Sequence, residues 1–356
     1  YSRAMLFGTF SLLVAALIFP PLTWHFRNRN VGATVLVACA FYANLISFVN
    51  AMIWHNDDPT TWFSGTGLCD VEVKLQSYTM AALPAAISCI LRALARVMDT
   101  ERSTWGMTKT QKRRGYAIDL ICCVALPLLQ MPGSWIVQPF RYYVFGITGC
   151  HPALSISWPM LLLVMLQPLL WTLLAVYYSV LVVTRLIRYR LQFHSILANN
   201  QTTKSRFLRL YILCAICAFG YLPLHIYLIY TTIAQGFGPF SWKEVHHPTA
   251  YDWSAMVAAP THGQITYDGF VWLAGGVVIF LIFGLGKDAV RMYRDGLLAC
   301  GAGRIWPGLR HGSPRTSAAA STMTSMSSRA RMLFSKRKNS VATTSSGTMD
   351  SFDSTT

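Results

Sequence analysis

Three ionisable residues stand within five positions of an otherwise charge-poor segment: Asp70, Glu72 and Lys74. Asp70 and Lys74 are spaced i,i+4 with the acid first, which favours an ion pair on one helix face, and Glu72 points elsewhere. Near a membrane surface such groups act either as a partly hydrated interfacial pair or as contacts for a ligand. Covalent chemistry has no comparable foothold. The nine histidines include no His-Glu-x-x-His pairing, and neither a Gly-rich phosphate loop nor a nucleophile elbow is present. Segment 268–286 has no Lys that a Schiff base would need. No enzyme, cofactor or metal is expected.

The elements that must position these residues are written in the charge pattern. Of the 356 residues 53% are hydrophobic and 12% charged, about half the roughly 25% of a soluble domain. Spans without Lys, Arg, Asp or Glu run 4–26, 30–56, 75–91, 120–140, 142–184, 210–242 and 269–286. A membrane-crossing helix needs about 20 mostly apolar residues. The spans predict seven helices near 4–24, 33–54, 70–97, 116–137, 158–184, 210–234 and 267–285, an all-α seven-transmembrane bundle over 1–286. An amphipathic membrane-surface helix is expected at 287–300, and 301–356 is expected to be a disordered tail, with 20 Ser/Thr among the last 45 residues.

Of the 30 Lys and Arg, 26 fall in alternate connections, at the end of the third helix, or from Lys287 onward. By the positive-inside rule the N-terminus is outside and the tail cytoplasmic. A nucleic-acid partner is not expected, because no basic stripe is interleaved with stacking aromatics. The net charge of +16 therefore reports orientation and an inner surface facing anionic lipid or an acidic partner. The first helix carries no cleavage pattern after it and is expected to act as its own insertion signal. The sequon Asn200-Gln201-Thr202 falls in the third cytoplasmic loop and is expected to be unmodified.

Most of the nine cysteines lie within helices as small buried hydrophobes. Cys69 and Cys150 alone are placed to meet oxidising solvent. A bridge between them would pin the second outer loop across the mouth of the bundle; the alternative is two free thiols. Cys300 follows the amphipathic segment and is a candidate for lipidation by palmitate, or an idle tail cysteine. Asp119, near the inner end of the fourth helix, is expected to pair with Arg92, Arg96 or a loop cation. Prolines 20, 84, 127, 168 and 223 fall inside helices, where each removes a backbone hydrogen bond and permits a kink. Pro223 is the candidate hinge.

An ordered series of short strings, each at a helix end, resembles one family. It runs from Pro21-x-x-Trp24-His25, through Asn44, Asn50 and Trp54, to Leu68-Cys69-Asp70-Val71-x-x-Lys74-Leu75 and Cys89-x-x-Arg92-x-Leu94. It continues with Asp119-Leu120-x-Cys122, Pro127, Gln138-x-x-Arg141, Gly149-Cys150 and Arg206-Phe207-x-Arg209-Leu210, and closes on Phe283-Gly284-x-Gly286-x-Asp288-Ala289 and Tyr293. Over about residues 5–295 the chain resembles the fungal mating-pheromone receptors of the lipopeptide (a-factor) class, multi-pass plasma-membrane receptors coupled to heterotrimeric G proteins.

The resemblance implies a farnesylated, carboxymethylated peptide pheromone as ligand. A prenyl chain gains about 0.8 kcal/mol per buried CH₂, so such a ligand partitions into the bilayer and enters sideways. Its peptide part would be read at the outer ends, with Asp70, Glu72, Lys74, Trp242, Tyr251 and Trp253 as ligand-binding candidates. The inner ends and the +6 loop 185–209 would meet the G-protein α subunit through Arg92, Arg96, Arg185, Arg188, Arg206 and Arg209. Neither Asp-Arg-Tyr nor Asn-Pro-x-x-Tyr occurs at the corresponding helix ends, so the activation latch must differ from that of rhodopsin-like receptors. Arg337-Lys338-Asn339-Ser340 resembles a basophilic kinase site. The alternative reading from another class is a seven-helix transporter, which would show inverted repeats and discontinuous helices at midplane.

Overall fold

The structure is a computed structural model that describes residues 2–97, 108–197, 215–236, 238–247 and 252–285, together with 212, 290, 292–295 and 298. Tyr251, Arg206, Arg209, Cys300, Asn200, most of 287–300 and the tail 301–356 lie outside the described residues. Residues Tyr1–Tyr293 form one compact unit.

Helix α1 spans Ser2–Arg27, α2 Val31–Ile53 and α3 Leu68–Val97. Helix α4 covers Lys109–Ile136, α5 residues 158–197 and α7 Tyr267–Gly284, while α6 is described over 215–234. Six of these are long and apolar enough to cross a membrane. The seven regions match the sequence reading to within a few residues, except that α4 begins earlier and α5 runs on to Leu197. Local signals explain the sharpest starts. Asn30 accepts the Ala33 N–H to begin α2, and a Thr108/Gln111 capping box begins α4.

Polarity is arranged opposite to that of a water-soluble protein. Leu6, Phe10, Leu13, Phe219, Tyr227 and Phe270 are exposed, whereas Ser11, Asn44, Asn50, Glu72 and Gln130 are buried. Such a surface suits lipid, and the buried polar groups must find partners inside the bundle.

The prolines show how that is done. In α4, α5 and α6 a wide π-helical turn, at Ile121–Ala125, Leu161–Met165 and Cys217–Tyr221, precedes Pro127, Pro168 and Pro223 by two or three residues. A proline leaves the carbonyl four residues earlier without its helical donor. For Pro127 that carbonyl is Cys123 O, which accepts Tyr78 Oη–H at 3.3 Å. For Pro168 it is Val164 O, which accepts Gln130 Nε2–H at 2.6 Å. Each kink is thereby tied to a neighbouring helix, α4 to α3 and α5 to α4.

The α4–α5 and α6–α7 connections form a small sheet that the sequence reading did not foresee. Strands β1 (Tyr142–Phe145), β2 (Gly149–His151) and β3 (Met256–Ala259) are ordered β2-β1-β3. Val144 faces Cys150 across the antiparallel pair and Ala258 across the parallel one. Strands of three or four residues are too short to show alternation, and the parallel partners are more than a hundred residues apart.

Candidate functional site

The sheet roofs one end of the bundle, and several ties hold it there. Cys150 of β2 is disulfide-bonded to Cys69 at the start of α3, and both are fully buried. Asp70 receives both prongs of Arg141, Nε at 2.7 Å and Nη2 at 2.6 Å, and also accepts the Gly67 N–H at 2.9 Å. The carboxylate beside it raises the Arg141 pKa further above its ordinary value. Lys74 donates to Gln138 Oε1 at 2.6 Å. The expected Asp70–Lys74 partnership is therefore replaced, because the planar fork of Arg141 matches both carboxylate oxygens while a Lys is a single point charge.

The connection between α6 and α7 is fastened to the same roof. Trp253 Nε1–H donates to Gln138 O at 3.0 Å. Trp242 stacks on His246 with ring centroids 3.8 Å apart and meets Trp135 edge-on. Asp57 Oδ1 accepts the backbone N–H groups of Thr261 and His262, each at 3.1 Å. Trp242 and Trp253, read from sequence as ligand contacts, sit here as anchors of the roof, with Trp242 still half exposed.

Beneath the roof, α2, α3 and α7 line a small, partly open cleft. Tyr42, Asn50, Glu72, Gln76, Asp268 and Trp272 are among its walls, and Thr148 from the β1–β2 turn closes it. Asn50 Nδ2 donates to Glu72 Oε1 at 2.7 Å and to Thr148 O at 2.9 Å. Gln76 Nε2 bridges Glu72 Oε1 at 3.0 Å and Cys150 O at 2.7 Å, so the roof is bonded directly to the cleft floor. Thr266 links Thr148 to Asp268, and His151 Nε2 stands 3.5 Å from Asp268 Oδ2. Burial pushes the His151 imidazole below its ordinary value, with the Asp268 carboxylate pulling the other way.

Glu72 was legible as a candidate; Asn50, Gln76, Thr148 and Asp268 were not assigned to a site. The signal available was polar residues at membrane depth, which applies to Asn50 and Asp268. What pairs them is the loop that drops onto them. Gly149 makes that approach possible: its φ is +77°, and a Cβ there would stand 2.4 Å from Asn50 Cγ and Nδ2. Gly149→Ala is expected to cost about 1–3 kcal/mol by overpacking and backbone strain. It should lower the unfolding temperature of the purified protein; an unchanged value would mean that the turn relaxes freely.

At the opposite end, Arg92 of α3 pairs with Asp119 of α4, and Arg185 of α5 donates to Ala95 O of α3. Tyr293 Oη–H donates to Leu17 O at 2.8 Å, tying the chain beyond α7 back to α1. Arg96 of α3 and Arg188 of α5 are exposed toward this same end. Among the described residues no cluster of three or more His, Cys, Asp or Glu is placed to hold a metal.

Comparison with known proteins adds the following. The family model described as pheromone A receptor matches residues 6–301. A pheromone a factor receptor of Saccharomyces cerevisiae is 30% identical over 289 residues, 79% of this chain and 59% of that protein, so the chain spans less than two thirds of that relative. Pheromone receptor 1 of Ustilago hordei is 30% identical over 298 residues, 81% of this chain and 82% of the relative. Pheromone B beta 1 receptor of Schizophyllum commune is 28% identical over 313 residues, 85% of this chain and 56% of the relative.

Proposed function

The chain belongs to the pheromone A receptor family of seven-helix, multi-pass plasma-membrane proteins, and from that premise we propose that it is a receptor for a farnesylated peptide pheromone that activates a heterotrimeric G protein. The observation that carries the ligand half is the cleft itself. Its floor belongs to three membrane helices and its roof to outer connections, so an occupant would touch both the helices and the connections bonded to them. The N-terminus and the roof face outward, where a Cys69–Cys150 bridge is stable.

In this reading the ligand acts by differential affinity. Moving a two-state bundle from 1:99 to 99:1 takes about 5.5 kcal/mol of preference for the active state. The inner contacts Arg92–Asp119 and Arg185–Ala95 O hold α3, α4 and α5 together in the arrangement seen here. Their rearrangement would open the inner face to the α subunit. Arg96, Arg188, Arg206 and Arg209 would then supply the basic rim, with Arg92 and Arg185 released to join it. Residues 1–286 form the receptor bundle, 287–300 a membrane-surface helix with Cys300 as its lipidation site, and the remainder a cytoplasmic tail.

A panel of farnesylated peptide methyl esters, each beside its unprenylated counterpart, tests the proposal in cells carrying this chain and a G-protein-linked reporter. Burying about four CH₂ equivalents of prenyl chain is worth about 3 kcal/mol, on the order of a hundredfold in potency. At least one prenylated peptide is expected to activate the reporter at a concentration lower by that factor than its counterpart. Solute uptake with no reporter response to any peptide would overturn the proposal in favour of a carrier.

A further inference from the structure

The hydrogen-bond pattern inside the cleft is unbalanced in one direction. Glu72 and Asn50 are 2% and 1% exposed. Glu72 Oε1 takes both available amide donors, from Asn50 and Gln76. Glu72 Oε2 and Asn50 Oδ1 are left with no partner. Both residues line the cleft, and the opposite wall carries a second acid, Asp268. Among the described residues no Lys, Arg or His forms an ion pair with Glu72; the nearby cations Lys74 and Arg141 are committed to Gln138 and Asp70. A buried carboxyl with a bare oxygen is costly as an anion until it takes up a proton or meets a cation, and a neutral donor would satisfy the hydrogen bond without compensating the charge. What the site lacks is one group that brings several N–H donors and a positive charge together.

We propose that the cleft between Glu72, Asn50 and Asp268 is the subsite for an organic cation of the ligand, an ammonium or guanidinium group whose N–H donors reach Glu72 Oε2 and Asn50 Oδ1. The inference rests on the peptide-receptor reading above and adds the chemistry that the peptide part must present. The prenyl chain supplies affinity without orientation, whereas a charge-assisted hydrogen bond at a fixed acceptor pair orients the peptide beneath the roof. Because Asn50 also bonds Thr148 O and Gln76 also bonds Cys150 O, a cation drawing on Glu72 and Asn50 acts on the roof as well as on α2 and α3.

A peptide has two sources of such a cation, its α-amine and a basic side chain, and the experiment separates them. Each prenylated peptide that activates the reporter is also prepared with its α-amine acetylated, and separately with every Lys or Arg replaced by norleucine. On the wild-type receptor one of the two neutralisations is expected to raise the half-maximal concentration at least tenfold, and which one does so identifies the source. Glu72→Gln, matched for surface level, is expected to lose the same factor with the unmodified peptide and to lose nothing further with the neutralised one. The inference is overturned if both neutralised peptides keep full potency on wild type, or if Glu72→Gln weakens charged and neutral peptides equally. Should Glu72→Gln fail to reach the surface, the wild-type arms decide alone. If no peptide signals, the receptor reading fails, and the subsite is read directly on the purified full chain in lipid nanodiscs. A rise in unfolding temperature with n-butylammonium or methylguanidinium chloride over sodium chloride at equal ionic strength supports the subsite, and no rise overturns it.

Discussion

Cys69→Ser and Cys150→Ser, each alone, are expected to cost about 2–5 kcal/mol and to remove most of the receptor from the cell surface. The bridge spans 81 residues of sequence, and closing a loop of that size is worth about 4–5 kcal/mol in the chain-entropy model. In a membrane the unbridged chain is already restrained, because α3 and α4 hold both ends of the loop near the same surface. The effect should therefore fall in the lower half of the range. The consequence for the site is larger than the free energy suggests. Cys150 O accepts the Gln76 amide and Gly149 lies against Asn50, so losing the bridge loosens the roof where it is bonded to the cleft. Surface labelling and thermal unfolding of the single and double variants check this. Because either substitution breaks the same bond, the double should be no worse than the singles; additive losses would show that each cysteine matters separately through packing.

Arg92→Ala and Asp119→Ala are the second pair of large effects, each about 1–3 kcal/mol for a part-buried pair. The Arg92 side chain is 13% exposed and that of Asp119 27%, and they join α3 to α4. Removing one partner strands the other charge, which is worse than removing both. The double replacement Arg92→Met with Asp119→Leu is thus expected to unfold at a higher temperature than either alanine variant. Wild-type unfolding temperatures for both alanine variants would dissolve the pair as a structural element and leave Arg92 free to meet a partner directly.

The membrane helices were readable because their signal is one-dimensional. A span of about 20 residues without charge has few alternatives to crossing a bilayer, and two helix starts carry a local marker, Asn30 before α2 and Thr108 before α4. The acids of α3 were readable for the same reason: ionisable groups at membrane depth are conspicuous in a chain with 12% charged residues. Their partners were not. Helical spacing proposed Lys74 for Asp70, and a residue 71 positions away took the place with two hydrogen bonds. The aromatic residues of the connection before α7 were legible as important, but their partners were not: Trp253 and Trp242 meet Gln138, Trp135 and His246.

The amino-acid sequence by itself therefore determined the solvent the protein lives in, the number of crossings and, through ordered motifs, the family. Those properties follow from local composition, which every residue carries wherever the rest of the chain goes. The cleft was decided only by tertiary structure. Glu72, Asn50, Gln76, Thr148 and Asp268 come from three helices and a loop turn, and their meeting depends on a disulfide, a glycine at positive φ and a parallel strand pair formed across more than a hundred residues. A hydrogen bond needs its atoms within about 3 Å, and separation along the chain says nothing about that distance until the helices have packed.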